Sequence, residues 1–115
     1  MKAKYLVLLA GLVLGLLIEA STASAAETSI ICTPTGVATF PARIHIRCGQ
    51  SFSGIVFFAY GSNDSAGAAR YMSMATSALI AGRSVRIFYD PADQSGASIG
   101  CQIGDCRLLR GLEIF

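Results

Sequence analysis

The stretch Ala75-Thr76-Ser77-Ala78-Leu79-Ile80-Ala81-Gly82-Arg83-Ser84-Val85-Arg86-Ile87-Phe88-Tyr89-Asp90-Pro91 changes its hydrophobic period at a single glycine. Before Gly82, Ala68, Tyr71, Met72, Ala75 and Leu79 recur at i, i+3, i+4, i+7 and i+11, which draws one apolar stripe along a helix. Arg70, Ser73 and Ser77 face elsewhere. After Gly82, Ser84 to Tyr89 alternates as a strand does, and Asp90-Pro91 closes it with a turn. Ser62-Asn63-Asp64 offers caps at the other end. The spacing therefore predicts a helix over Ser65 to Ala81, with Gly82 as its left-handed C-cap and a strand directly after it.

Upstream, Arg43-Ile44-His45-Ile46-Arg47-Cys48 alternates strictly, placing Ile44, Ile46 and Cys48 on one face and Arg43, His45 and Arg47 on the other. Gly49 to Ser53 reads as a turn. Gly54 to Tyr60 is apolar on both faces, as suits a central or interface-facing strand. Thr28 to Cys48 as a whole is β-branched but carries Pro34 and Pro41, so it should be extended and interrupted. Downstream, a polar loop from Ala92 to Gly100 precedes a last strand over Arg107 to Phe115, with Leu108, Leu112 and Ile114 on one face. Extended strands, one helix and two more strands fit a small five-stranded antiparallel barrel of the OB-fold type plugged by its helix. A helix on an open antiparallel sheet gives the same string.

The first residues have a different character. Lys2 and Lys4 give a positive start, Leu6 to Ile18 is an almost unbroken apolar run, and Ala23-Ser24-Ala25 or Ser24-Ala25-Ala26 supplies the small residues of a cleavage site. The apolar run is shorter than the roughly 20 residues of a membrane-spanning helix. We read 1–25 as a signal peptide and 26–115 as one small domain, exported to the periplasm or beyond, with no membrane span after cleavage. The mature chain begins at Ala26 or Glu27. Losing Lys2, Lys4 and Glu19 leaves seven cations against six anions, a net charge of +1. A nucleic-acid partner is not expected from so small a basic excess. All seven remaining cations are arginine, whose planar fork suits carboxylates.

Cys32, Cys48, Cys101 and Cys106 all follow the signal, and a domain of this size gains from staples. Four cysteines permit three pairings, and short loops favour Cys32 with Cys48 and Cys101 with Cys106. A zinc site would need pairs at short spacing, which only Cys101 and Cys106 approach. No Cys-x-x-Cys redox motif occurs. His45, the only histidine, lies between two arginines with no carboxylate close in sequence, and Asp90 and Asp93 sit where carboxylates cap turns. No catalytic residues, metal or cofactor are expected.

The stretch from Ala75 to Pro91, together with Cys101-Gln102-Ile103-Gly104-Asp105-Cys106, resembles the B subunits of subtilase cytotoxin and its pertussis-like relatives. The likeness spans the helix, the glycine, the strand, the acidic-Pro pair and the spacing of the C-terminal cysteine pair, about forty of some ninety mature residues. It implies an OB-fold, a non-catalytic module that binds cell-surface glycans, a homopentameric ring and a catalytic A-type partner. On that expectation Arg43, His45 and Arg47 form one candidate ligand patch, and Tyr60 and Tyr89 are candidates for stacking on sugar; Tyr71 lies on the apolar stripe and reads as core. The alternative is a monomeric periplasmic or secreted interaction or inhibitor domain on the same fold.

Overall fold

The computed structural model describes residues 27–115, and the signal peptide assigned to 1–25 lies outside them. Seven strands and one α-helix follow one another: β1 (Thr28–Cys32), β2 (Pro34–Thr39), β3 (Arg43–Phe52), β4 (Ile55–Gly61), α1 (Ser65–Ala81), β5 (Val85–Tyr89), β6 (Cys106–Leu108) and β7 (Gly111–Ile114). A 3-10 turn occupies Ser95–Ile99 within the loop between β5 and β6.

The helix forms where its period places it. Asp64 caps its start by accepting from the Gly67 amide at 3.1 Å, and Gly82 ends it at φ 66°. Past that cap, the Arg83 amide returns to the Ala78 carbonyl, satisfying one of the last orphan acceptors. Ala68, Ala75 and Ala78 are buried, and Tyr71 and Met72 pack half-buried beside them.

The strands build two sheets rather than the closed five-stranded barrel expected from the string. One has the order β1-β5-β7, all antiparallel; the other has the order β2-β3-β4-β6, in which β6 runs parallel to β4. The C-terminal segment shows why. Arg107 to Phe115 reads as one strand, yet the Leu109 amide bonds to Ala59 of β4 at 2.7 Å while the Arg110 amide bonds to Phe88 of β5 at 2.9 Å. The chain changes sheets between these two residues, so one alternating run becomes two strands with different partners. A similar change occurs at Thr33, between β1 of the first sheet and β2 of the second.

The turn expected over Gly49 to Ser53 is also displaced. β3 continues to Phe52 with a register shift after Arg47, and the reversal is made by Ser53 (φ 53°) and Gly54 (φ 86°) alone. Positive φ at both central residues is the two-residue hairpin geometry whose twist matches the flanking strands. β4 then lies between β3 and β6, and its two apolar faces go to two clusters: Ile55, Phe58 and Tyr60 to the main core, Phe57 and Ala59 to a smaller one with Cys101 and Cys106.

Phe58, Ile46, Ile87, Val85 and Cys32 are the largest fully buried side chains, and they meet between the sheets, with α1 against β2 and β3. Both disulfides form in the expected pairing, Cys32 with Cys48 and Cys101 with Cys106. The first ties β1 of one sheet to β3 of the other. Such bonds belong to an oxidising compartment. Among the described residues no helix is long and apolar enough to cross a membrane.

Candidate functional site

The outer face of the four-stranded sheet carries the site. Alternation along β3 turns Ile44, Ile46 and Cys48 inward and leaves Arg43, His45 and Arg47 outside. The register with β4 sets Ala59 beside His45 and Phe57 beside Arg47. The loop between β5 and β6 then folds across this face. Arg107 pins it, its Nε donating to the Pro91 carbonyl at 2.8 Å and its Nη1 to the Ile103 carbonyl at 2.6 Å. Asp90 and Asp93 accept from the Ala92 and Ser95 amides, capping turns as their spacing predicts. The Cys101–Cys106 bond, with Ala59, Phe57 and Ile99, makes a small second core under the loop.

Between the loop and β3 a cleft of about 180 Å³ remains, lined by Arg43, His45, Phe57, Gln102 and Asp105. The His45 ring stands 5.1 Å from Phe40, edge to face, and 5.0 Å from Phe57. The Arg43 guanidinium lies 4.3 Å over the Phe40 ring and gives one proton to the Ile99 carbonyl at 3.2 Å. Gly100 (φ 91°) permits that approach, because a Cβ there would collide with Arg43 Nη1. Among the described residues the side chains of His45, Gln102 and Asp105 make no hydrogen bond, and none of their polar atoms is buried without a partner. They are exposed to the cleft and uncommitted. Partial burial holds the His45 pKa below 6.5; the positive fields of Arg43 and Arg47 push it the same way, and Asp105 opposes them.

The other sequence candidates are placed elsewhere. Arg47 is exposed and leans over β2, where its Nε donates to Thr35 Oγ1 at 3.1 Å. Tyr60 borders a separate groove and donates its hydroxyl to Asp64. Tyr89 is corrected: it is only 5% exposed and packs edge-on against Phe58 in the core, so its ring cannot stack on a ligand at the surface. Phe57, Gln102 and Asp105 were not anticipated, although the cysteine pair that brackets Gln102 and Asp105 marks that loop as held in place. The described residues contain no group of three or more His, Cys, Asp or Glu side chains arranged to hold a metal.

Comparison with protein-family models, curated proteins and solved structures finds no match to this chain. The site's own chemistry is therefore what bears on function. Arg43 and Gln102 can donate to ligand oxygens, Asp105 can accept from hydroxyls, and Phe57 adds apolar ring surface. Such a set suits a ligand with hydroxyl or carboxyl oxygens on a compact ring or chain.

Proposed function

We propose that this chain is an exported, non-catalytic binding module that recognises carbohydrate in the cleft around His45. The observation that carries the reading is the convergence of four planar polar side chains, three of them without a protein hydrogen bond, on one open cleft that the Phe57 ring also lines. A pyranose presents vicinal hydroxyls to such groups and C–H faces to such rings, and the arginine fork adds a preference for acidic sugars. The Cys101–Cys106 bond and the Arg107 clamp hold Gln102 and Asp105 before any ligand arrives, which lowers the ordering cost of binding. The resemblance to toxin B subunits adds a homo-oligomeric ring and a catalytic A-type partner to the proposal, since weak sugar sites gain from avidity.

One observation favours the monomeric alternative. Ala68, Tyr71, Met72 and Ala75 of the helix stripe and both apolar faces of β4 pack inside a single chain, and the large apolar residues left exposed among those described, Ile31, Phe40, Ile80, Ile103 and Phe115, come from separate segments.

The test of binding is a glycan array probed with the disulfide-bonded protein and with Arg43→Met and Gln102→Ala. The proposal predicts hits that weaken by about tenfold in each variant, the scale of one lost hydrogen bond to a charged or buried group. Hits unaffected by both variants would move the site elsewhere. Light scattering after size exclusion separates the ring from the monomer.

A further inference from the structure

We propose that the pocket between α1 and β7 is a second binding site, one that takes a carboxylate carried on a compact apolar group. It shares no residue with the His45 cleft and is independent of the carbohydrate reading.

Gly67, Arg70, Tyr71 and Met74 recur at i, i+3, i+4 and i+7, so one face of α1 carries them together. With Tyr60 of β4 and Gly111 and Leu112 of β7, that face borders a pocket of about 300 Å³, within the range of small-ligand sites. Two phenol rings wall it. Tyr60 and Tyr71 meet edge to face with their centroids 4.9 Å apart. Glycine at position 67 lets the Tyr60 ring lie against the first turn of α1, because a Cβ there would stand 2.9 Å from Tyr60 Cε1. Met74 and Leu112 complete the apolar surface, and the thioether adapts to the shape of what it touches.

The side chains give this pocket a positive charge and free donors. Arg43, Arg47, Arg86, Arg107 and Arg110 each hydrogen-bond within the protein, whereas Arg70 has no hydrogen bond or ion pair among the described residues. The Tyr60 hydroxyl directs its proton to Asp64, but that of Tyr71 has no partner among the described residues and is open to water. Burial raises the Tyr71 pKa above its ordinary value, so this hydroxyl keeps its proton at neutral pH. Among the described residues no carboxylate lines the pocket. Asp64, whose pKa senses Arg70, borders the neighbouring groove and is engaged by Tyr60 and the Gly67 amide. The phenol oxygens can accept a hydrogen bond from a neutral ligand, but only an anion also meets the guanidinium charge. A planar carboxylate satisfies the Arg70 fork with two parallel bonds while its apolar body lies on the rings, Met74 and Leu112.

The chemistry is shared by a free aryl or branched alkyl acid and by the C-terminal carboxylate of a polypeptide that ends in an apolar residue. The test is a titration of the isotope-labelled, disulfide-bonded protein by NMR with phenylacetate. Phenylacetamide is its uncharged match, acetate its match without a ring, and a short peptide ending in phenylalanine represents the polypeptide source. The expected result is that phenylacetate shifts the amides of Arg70, Tyr71, Met74 and Leu112, while phenylacetamide and acetate bind about tenfold or more weakly. Arg70→Gln should bind phenylacetate about tenfold more weakly and phenylacetamide unchanged, and Tyr71→Phe, which keeps the ring, should lose about threefold for phenylacetate. A peptide that binds much more tightly than phenylacetate identifies the source as a chain terminus, and equal or weaker affinity identifies a free acid. The proposal is overturned if phenylacetamide binds as well as phenylacetate, if Arg70→Gln binds phenylacetate unchanged, or if the shifts fall at His45 and Gln102 instead. It is overturned equally if no shift appears up to about 50 mM, well above millimolar dissociation constants.

Discussion

Two glycines with positive φ separate backbone strain from site geometry. At Gly82 (φ 66°) an added Cβ would meet no atom within 4 Å, so Gly82→Ala carries only the left-handed penalty, about 1 kcal/mol. Gly100 (φ 91°) adds a collision with Arg43, and Gly100→Ala should cost about 2 kcal/mol or more. Thermal or urea unfolding measures both costs. The His45 resonances should move in Gly100→Ala alone, because only that substitution displaces the arginine lining the cleft. His45 itself should titrate below 6.5 by NMR, and Arg43→Met should raise its pKa, since one of the fields that lower it is gone. The folded protein binds this proton less readily than the unfolded chain, so the group subtracts stability as pH falls from 6.5 through its lowered value. Asp93 acts at lower pH. Its pKa is lowered to about 2, chiefly by bonds from Ser95 and then by Arg110, so its contribution is present above the ordinary value of 3.8 and is lost as pH falls toward 2. Asp93→Asn should remove that part of the acid sensitivity. At this scale β3 was legible, because strict alternation tells which of Arg43 and Ile44 faces out. Tyr89 was legible too, by the same rule: Val85, Ile87 and Tyr89 share the buried face of β5. Its aromatic character drew it into the ligand set against that pattern.

The two disulfides do different work at the scale of elements. The Cys32–Cys48 bond has a sequence separation of 16 and links the two sheets, whereas Cys101–Cys106 spans 5 and shapes one loop. Chain entropy gives about 3 kcal/mol for the first and about 2 for the second. Denaturant unfolding of the two double-serine variants should show Cys32→Ser with Cys48→Ser as the more damaging. The Cys101→Ser with Cys106→Ser variant should keep its fold while the amide of Asp105, which bonds to the Gln102 carbonyl at 3.3 Å, loses hydrogen-exchange protection. Equal damage from both would contradict this division. The helix was readable end to end because its stripe, its Asp64 cap and its Gly82 stop are all local signals. The break between β6 and β7 was not, since only the partners of Leu109 and Arg110, distant in sequence, make it visible. The same holds for the hairpin at Ser53-Gly54, where Gly49 offered an equally good local turn.

On the scale of the molecule, a change of sheet at Thr33 and another at Leu109 turn a string that fits a barrel into two sheets sharing one core. Such crossings leave no mark on hydrophobic period, and a barrel and a pair of sheets bury the same alternating residues. The site depends on this arrangement, because the loop that completes the His45 cleft is the one linking β5 of the first sheet to β6 of the second. The most direct measurement is calorimetric titration of an array-selected glycan into the disulfide-bonded protein and into Arg43→Met. The account predicts saturable binding to the protein and a loss of about tenfold or more in the variant, with thermal stability kept. Absence of any glycan ligand for a folded protein with its cleft intact, or binding indifferent to Arg43, would contradict it.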